Sequence, residues 1–105
     1  MKERRKHVRI PEPASIEVTW MEGGREQRVI AQSLDIAAGG MRVASPEPLP
    51  ASSDVHFTMV HGDFEGSARV RYSSKANDGR YVIGLEFTPE TSREMFAYTV
   101  ESEKL

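Results

Sequence analysis

Apolar residues recur at every second position in six short stretches of this chain, and turn-forming residues separate each stretch from the next. That period belongs to strands with one face on a core and the other toward water. Ser15–Trp20 places Ile16, Val18 and Trp20 together, and Glu22-Gly23-Gly24 then turns the chain. Gln27–Leu34 is a second run, interrupted at Asp35–Gly40 and resumed by Met41–Ala44 with Met41 and Val43 on one side. Pro46, Pro48 and Pro50 exclude a central strand and mark a loop. Val55–Val60 aligns Val55, Phe57 and Met59, and His61-Gly62-Asp63 turns the chain again. Ser67–Tyr72 directs Ala68, Val70 and Tyr72 inward, with Arg69 and Arg71 outward. Asn77-Asp78-Gly79 carries the Asp-Gly hairpin signal, and Arg80–Phe87 aligns Tyr81, Ile83, Leu85 and Phe87. Six such strands predict an all-β-dominated, six-stranded antiparallel β-barrel, because closure removes the unpaired edges a small sheet would expose.

The pattern changes at the end. Thr88-Pro89 suits an N-cap and first helical residue, while Thr91 and Glu94 have capping-box spacing and offer a second possible start. Met95, Phe96, Thr99 and Val100 form a mostly apolar stripe at helical spacing. Pro89–Glu103 therefore reads as one amphipathic helix closing an end or side of the barrel, its stripe a core contact.

A chain of 105 residues supports one modest core and one domain. The expected layout is a basic arm at 1–10, the barrel at 11–88 and the helix at 89–105. Cysteine is absent, which removes disulfides, zinc knuckles and thiol catalysis together. No run of 18 apolar residues exists to span a membrane, and no apolar stretch follows the basic start as in a secretory leader. A cytoplasmic location is expected.

The formal charge of −2 conceals a division. Lys2, Arg4, Arg5, Lys6 and Arg9 against Glu3 give the first nine residues +4, leaving −6 on the other 96. Like charges with little apolar surface predict a flexible arm. A basic arm on an acidic body suits a local anion site better than a broad nucleic-acid surface.

Catalytic chemistry is hard to assemble from what remains. His7, His56 and His61 fall in the arm, a strand and a turn, with no nucleophile-base-orienter set. His56 and His61 flank a hairpin, but no carboxylate pattern completes a metal-ligand set. Asp54, Asp63 and Glu65 lie at or near turns, where carboxylates are ordinarily solvated. Phosphate-loop and dinucleotide fingerprints are missing. The expectation is a binding module with no enzymatic activity and no cofactor.

Two constellations can recognise a ligand. The first is Arg4-Arg5-Lys6-His7-Val8-Arg9, whose guanidinium forks match phosphate oxygens and the O6 and N7 acceptors of guanine. The second is Ser33-Leu34-Asp35-Ile36-Ala37-Ala38-Gly39-Gly40-Met41-Arg42-Val43. Here Asp35 can accept N–H bonds, and Gly39 and Gly40 permit close backbone approach and unusual φ/ψ. An Asp-initiated turn with glycines serving geometry alone accounts for the second stretch equally well.

Together they resemble the PilZ domain family, marked by an Arg-x-x-x-Arg arm followed some 20–30 residues later by an Asp/Asn-x-Ser-x-x-Gly turn. Arg5-Lys6-His7-Val8-Arg9 and Asp35-Ile36-Ala37-Ala38-Gly39-Gly40 match in order. Gly84-Leu85-Glu86-Phe87 is similar to the family's Gly-apolar-x-Phe ending. The resemblance implies a stand-alone receptor for cyclic di-GMP, a bacterial second messenger with two phosphates and two guanines. It places Arg5 and Arg9 on phosphate and guanine, Asp35 on a guanine edge, and Gly39 and Gly40 in the turn, with Gly40 giving clearance. Arg4 is the extra arginine that accompanies a stacked ligand dimer in such domains. Arg71, outward on a nearby strand, is a further candidate contact whose ordinary role is surface charge. The family's serine is Ala37 here. The lost hydroxyl bond is worth about 0.5–3 kcal/mol, roughly 2- to 150-fold in affinity. The partners expected are cyclic di-GMP and an unidentified protein effector, with the chain a monomer or weak homodimer. Two alternatives are a small nucleic-acid-binding barrel and a nucleotide-independent interaction domain.

Overall fold

The computed structural model describes residues 14–62 and 64–104, with side chains as far as Tyr98. Arg4, Arg5 and Arg9, the whole of the expected arm and Asp63 lie outside the described residues, as do the side chains of Thr99 and Val100.

Six strands close into one antiparallel barrel and a single α-helix follows. The strands are β1 (Ser15–Glu22), β2 (Arg25–Ile36), β3 (Gly40–Ser45), β4 (Asp54–Met59), β5 (Glu65–Lys75) and β6 (Tyr81–Phe87), and the helix α1 is Pro89–Lys104. Around the ring the order is β1-β2-β3-β6-β5-β4, with β4 returning to β1. The proline loop carries the chain from β3 across to β4, so that β3 pairs with β6 instead.

Alternation builds the core as the sequence predicts. Ile16, Val18, Val43, Phe57 and Ile83 are all fully buried, and Trp20, Val29, Met41, Val55, Met59, Ala68, Leu85 and Phe87 nearly so. Phe57 lies between Phe87 and Phe64, with ring centroids 5.4 and 5.9 Å away. Gly23 and Gly24 join β1 to β2 in a two-residue turn with φ of 60° and 80°. Two successive positive φ angles match the strands' own twist, and glycine adopts them without steric cost.

The helix begins at the first of its two possible starts. Thr88 Oγ1 accepts the Thr91 amide at 3.2 Å and its carbonyl accepts the Ser92 amide at 2.8 Å, with Pro89 as the first helical residue. Thr91 is buried, and its Oγ1 accepts the Ser67 amide of β5 at 3.0 Å. A Cβ on Gly66 would strike the Thr91 methyl, so this glycine sets how closely α1 approaches β5. Met95 is fully buried and Tyr98 packs on Phe64 at 5.3 Å. The inward line is thus Thr91, Met95 and Tyr98, one turn apart. It is not the expected stripe through Phe96, which is 63% exposed. Fixing the helix by the buried Thr91 rotates Phe96 to the solvent side.

Because Thr88 caps α1, Thr88→Ala is expected to cost about 1 kcal/mol. That lowers the melting temperature by roughly 4–8 °C in a domain of this size. Glu94→Ala should leave melting near the parent value. The reverse ranking in a thermal melt would move the helix start to Thr91.

Candidate functional site

Strict alternation would bury Asp35. In β2 the inward residues are Val29, Ala31 and Ser33, and the next inward position by count is 35. A β-bulge against β3 intervenes, shifting the register between Ser33 and Asp35. Leu34 is the extra residue. After it Leu34 and Asp35 are both exposed, and Ile36 turns back to the core. An inserted residue re-aims every side chain beyond it, and here it delivers a carboxylate to the outer face.

The same device operates on β5. Ala68 and Val70 point inward, and the register against β6 shifts between Val70 and Tyr72, leaving Arg71 as the extra residue. Tyr72 is therefore outward and 41% exposed, contrary to the inward position that its spacing predicts. Uninterrupted period two cannot register a bulge, which is why the sequence places this ring in the core.

The two bulges flank the β3–β6 pair, and their products meet across it. Asp35 is opposite Arg42, Arg42 is opposite Gly84, and Gly84 is opposite Tyr72. One rung across four strands thus presents a carboxylate, a guanidinium, a glycine and a phenol ring. A Cβ on Gly84 would collide with the Tyr72 ring, so the absent side chain is what lets the ring lie flat on the sheet.

Asp35 and Arg42 form a forked ion pair. Arg42 Nη2 donates to Asp35 Oδ2 at 2.6 Å, and Nε donates to Oδ2 at 3.0 Å and more weakly to Oδ1 at 3.2 Å. Both side chains are about half exposed. The Arg42 hydrogen bonds hold the Asp35 carboxyl below its ordinary range. Reciprocally, the Asp35 hydrogen bond raises Arg42, and the nearby Tyr72 phenol adds to this. An exposed pair contributes little to folding. Its effect is to orient a charged acceptor beside a charged donor.

Around the rung lies an open pocket of about 380 Å³. Four of the turn's expected site residues, Asp35, Ala37, Gly39 and Gly40, line it together with Arg71. Arg71 Nη1 donates to Glu86 Oε1 at 2.5 Å. Ala37 is exposed and its amide donates to the Gly40 carbonyl at 2.8 Å, closing the turn. The glycines play a narrower part than expected. Neither Gly39 nor Gly40 has positive φ. A Cβ on Gly40 would strike the Leu85 carbonyl oxygen, so Gly40 admits close approach of β3 to β6. Nothing lies near a Cβ on Gly39.

Arg42 stands within the second recognition stretch and Gly84 within the family-like ending, but neither they nor Tyr72 carries a site role in the sequence. Arg42 was within reach of sequence reasoning, since a turn closed between Ile36 and Met41 puts residues 35 and 42 opposite each other.

Ala14, the first described residue, is tied to the barrel. The Ala14 amide donates to the Ser33 hydroxyl at 2.9 Å, and the Ser33 amide donates to the Ala14 carbonyl at 2.8 Å. Ser33 is buried and stands two residues before Asp35. A second concavity, of about 570 Å³, lies by Trp20, His56 and Thr88, but its charged lining includes Glu26 and Asp54 and disfavours an anion. His56 pairs with Glu65 at 3.3 Å, and no metal-binding group of three or more His, Cys, Asp or Glu side chains exists among the described residues.

Arg42 lowers the Asp35 pKa in the folded state, so the pair's contribution is present above the ordinary aspartate value and is lost as pH falls through the depressed one. A carboxyl-detected NMR titration should find the Asp35 midpoint below the usual aspartate range, and Arg42→Gln should return it upward. An unchanged midpoint in that variant would remove the ion pair from the account.

No curated protein sequence matches this chain. Among solved structures, the chain is similar to the PilZ domain with c-di-GMP of YcgR from Escherichia coli, at 16% identity and a TM-score of 0.56. The match covers 92% of this chain and 89% of that one, a likeness of fold. Residues 3–100 match the family model of the PilZ domain, a span holding both motifs, the whole ring of strands and most of α1. The barrel, the bulge-presented Asp35 and the turn behind it are accordingly those of a chain that belongs to the PilZ domain family.

Proposed function

We propose that this domain is a cytoplasmic bacterial receptor for cyclic di-GMP, in which ligand draws residues 1–10 onto the barrel and so alters the surface that a protein effector reads. PilZ domains are non-catalytic receptor modules, and the reading assigns this one no reaction and no cofactor. Residues 1–105 act as one domain in it.

The observation that carries the reading is the double hydrogen bond between Ala14 and Ser33. It roots the arm beside the strand that presents Asp35. Arg9 is five residues upstream and Arg5 nine, reaches of up to about 17 and 31 Å along an extended chain. Both spans allow a guanidinium to arrive over a pocket that begins two residues from the root.

Charge supports the same division of labour. Within the pocket Arg42 is matched by Asp35, and Arg71 by Glu86. These walls offer a dianion no net attraction. The +4 of the first nine residues supplies it, with Arg5 and Arg9 taking phosphate and guanine and Arg4 serving a second ligand molecule. Asp35 accepts from a guanine edge, and Ala37, Gly39, Gly40 and Arg71 line the same pocket. Like charges gathered at 1–9 repel one another until two phosphates neutralise them, which makes binding and arm docking one event.

Calorimetric titration with cyclic di-GMP is expected to give saturable heat and a ligand number, with amide shifts at Asp35–Gly40. Arg5→Ala and Arg9→Ala should each weaken binding by about ten-fold or more. Absence of heat and shifts at high micromolar ligand would overturn the reading. Salt-sensitive binding of single-stranded RNA, with indifference to cyclic di-GMP, would replace it with a nucleic-acid barrel.

Ala37 tests the pocket from the opposite direction. Ala37→Ser restores a hydroxyl in open space and is expected to tighten cyclic di-GMP binding at least two-fold, up to about 150-fold if the bond meets a charged phosphate. Weaker binding by the serine variant would place the ligand away from this turn.

A further inference from the structure

We propose that Arg42 is a second base-reading residue of this pocket, donating to guanine O6 while Asp35 accepts from the N1 and N2 hydrogens of the same edge. The inference rests on the cyclic di-GMP reading and assigns specificity to a residue that follows the Asp35–Gly40 motif and had no role of its own in the sequence.

Arg42 spends only part of its guanidinium on Asp35. Nε and Nη2 face the carboxylate, Nη1 bonds neither of its oxygens, and the Tyr72 phenol is the guanidinium's other hydrogen-bond partner, leaving some of its five N–H donors over. Asp35 keeps capacity as well, since a carboxylate has about four lone-pair sites, and besides the fork it accepts from the Arg42 backbone. Both side chains are half exposed and line the pocket. Because they are opposite each other in register, they present an acceptor and a donor side by side. The Tyr72 ring extends the same rung over Gly84.

A guanine Watson–Crick edge reads donor, donor, acceptor from N2 through N1 to O6. Laid along the rung, its two donors face the Asp35 carboxylate and O6 faces Arg42. Adenine in the same placement turns the N1 lone pair toward the carboxylate and its amino group toward the guanidinium. Both contacts are then mismatched, and reversing the base would require the phosphates to leave the arm. A buried or closely matched polar site rejects an analogue strongly because its own groups are left unpaired.

Arg42 also stands where a donor is missing. Ala37 lines the same pocket with a methyl group, so the turn supplies no hydroxyl. A guanidinium donor from the neighbouring strand provides charged hydrogen bonding from the side chain opposite Asp35.

The test compares the parent, Arg42→Gln and Arg42→Lys by calorimetry with cyclic di-GMP, cyclic di-AMP and the cyclic dinucleotide of 6-thioguanosine, whose sulfur is a weak acceptor. The parent is expected to prefer cyclic di-GMP and to lose about five-fold or more with the thio analogue. Arg42→Gln should weaken cyclic di-GMP by about 10- to 100-fold, change cyclic di-AMP little and become indifferent to the thio substitution. Arg42→Lys, which keeps the charge and loses the fork, should fall between them. Melting temperatures within a few degrees of the parent exclude unfolding as the cause, as an exposed position predicts. Equal loss from the thio analogue in parent and Arg42→Gln would reduce Arg42 to a support for Asp35 and overturn the inference. So would unchanged discrimination between the two natural dinucleotides. A parent that binds no cyclic di-GMP would overturn the functional reading itself, an outcome visible before any variant is measured.

Discussion

A closed ring of strands gives each residue one of two destinations, the core or the solvent, and the destination alternates without exception unless a residue is inserted. Everything at the pocket depends on two such insertions. Leu34 and Arg71 break the count on β2 and β5, on either side of the β3–β6 pair. Each turns out a side chain that would otherwise be buried, a carboxylate in one case and a phenol in the other. Neither group suits the interior. A carboxylate without a partner there carries a desolvation penalty of several kcal/mol. The barrel thus remains apolar inside while its outer wall acquires a chemically mixed rung.

Small residues make the rung usable. Gly40 lets β3 approach the β6 backbone, and Gly84 leaves room for the Tyr72 ring to lie against the sheet. A side chain at either place would push apart the strands or lift the ring. The glycines therefore shape the wall on which the polar groups are mounted, and the Asp35–Arg42 fork then holds two charged groups in a fixed relation. Geometry is set by backbone and glycine, and charge is added at the end.

Much of this was legible before any coordinates. Period two located all six strands to within a few residues, because β-branched and aromatic side chains on one face must meet a core. Gly23-Gly24, Asp78-Gly79 and the three prolines punctuated them, since each restricts the chain locally. Thr88-Pro89 announced the helix for the same local reason. What stayed hidden was non-local. A bulge exists only as a relation between two strands, so Tyr72 read as a core residue. Phe96 read as part of an inward stripe because nothing nearby reveals that Thr91 bonds to Ser67 and sets the helix's rotation. Arg42 carries no motif of its own and becomes a site residue only through its partner across the turn. Asp35, Ala37, Gly39 and Gly40 were found through a family pattern, and the wall brings them together with Arg71. Arg4, Arg5 and Arg9 lie outside the described residues, so their roles rest on the motif and on the reach from Ala14.

The tie between Ala14 and Ser33 has a thermodynamic meaning as well as a geometric one. A cation on a free peptide must be collected from solution, whereas one tethered a few residues from the pocket is held at an effective concentration on the order of millimolar. On the proposed reading, individually weak contacts from the arm multiply with those of the wall. The buried Ser33 hydroxyl then acts on affinity by fixing the origin from which the tether is measured. A barrel severed from its arm and resupplied with the same peptide would, on that reading, contain every contact and still be a much poorer receptor.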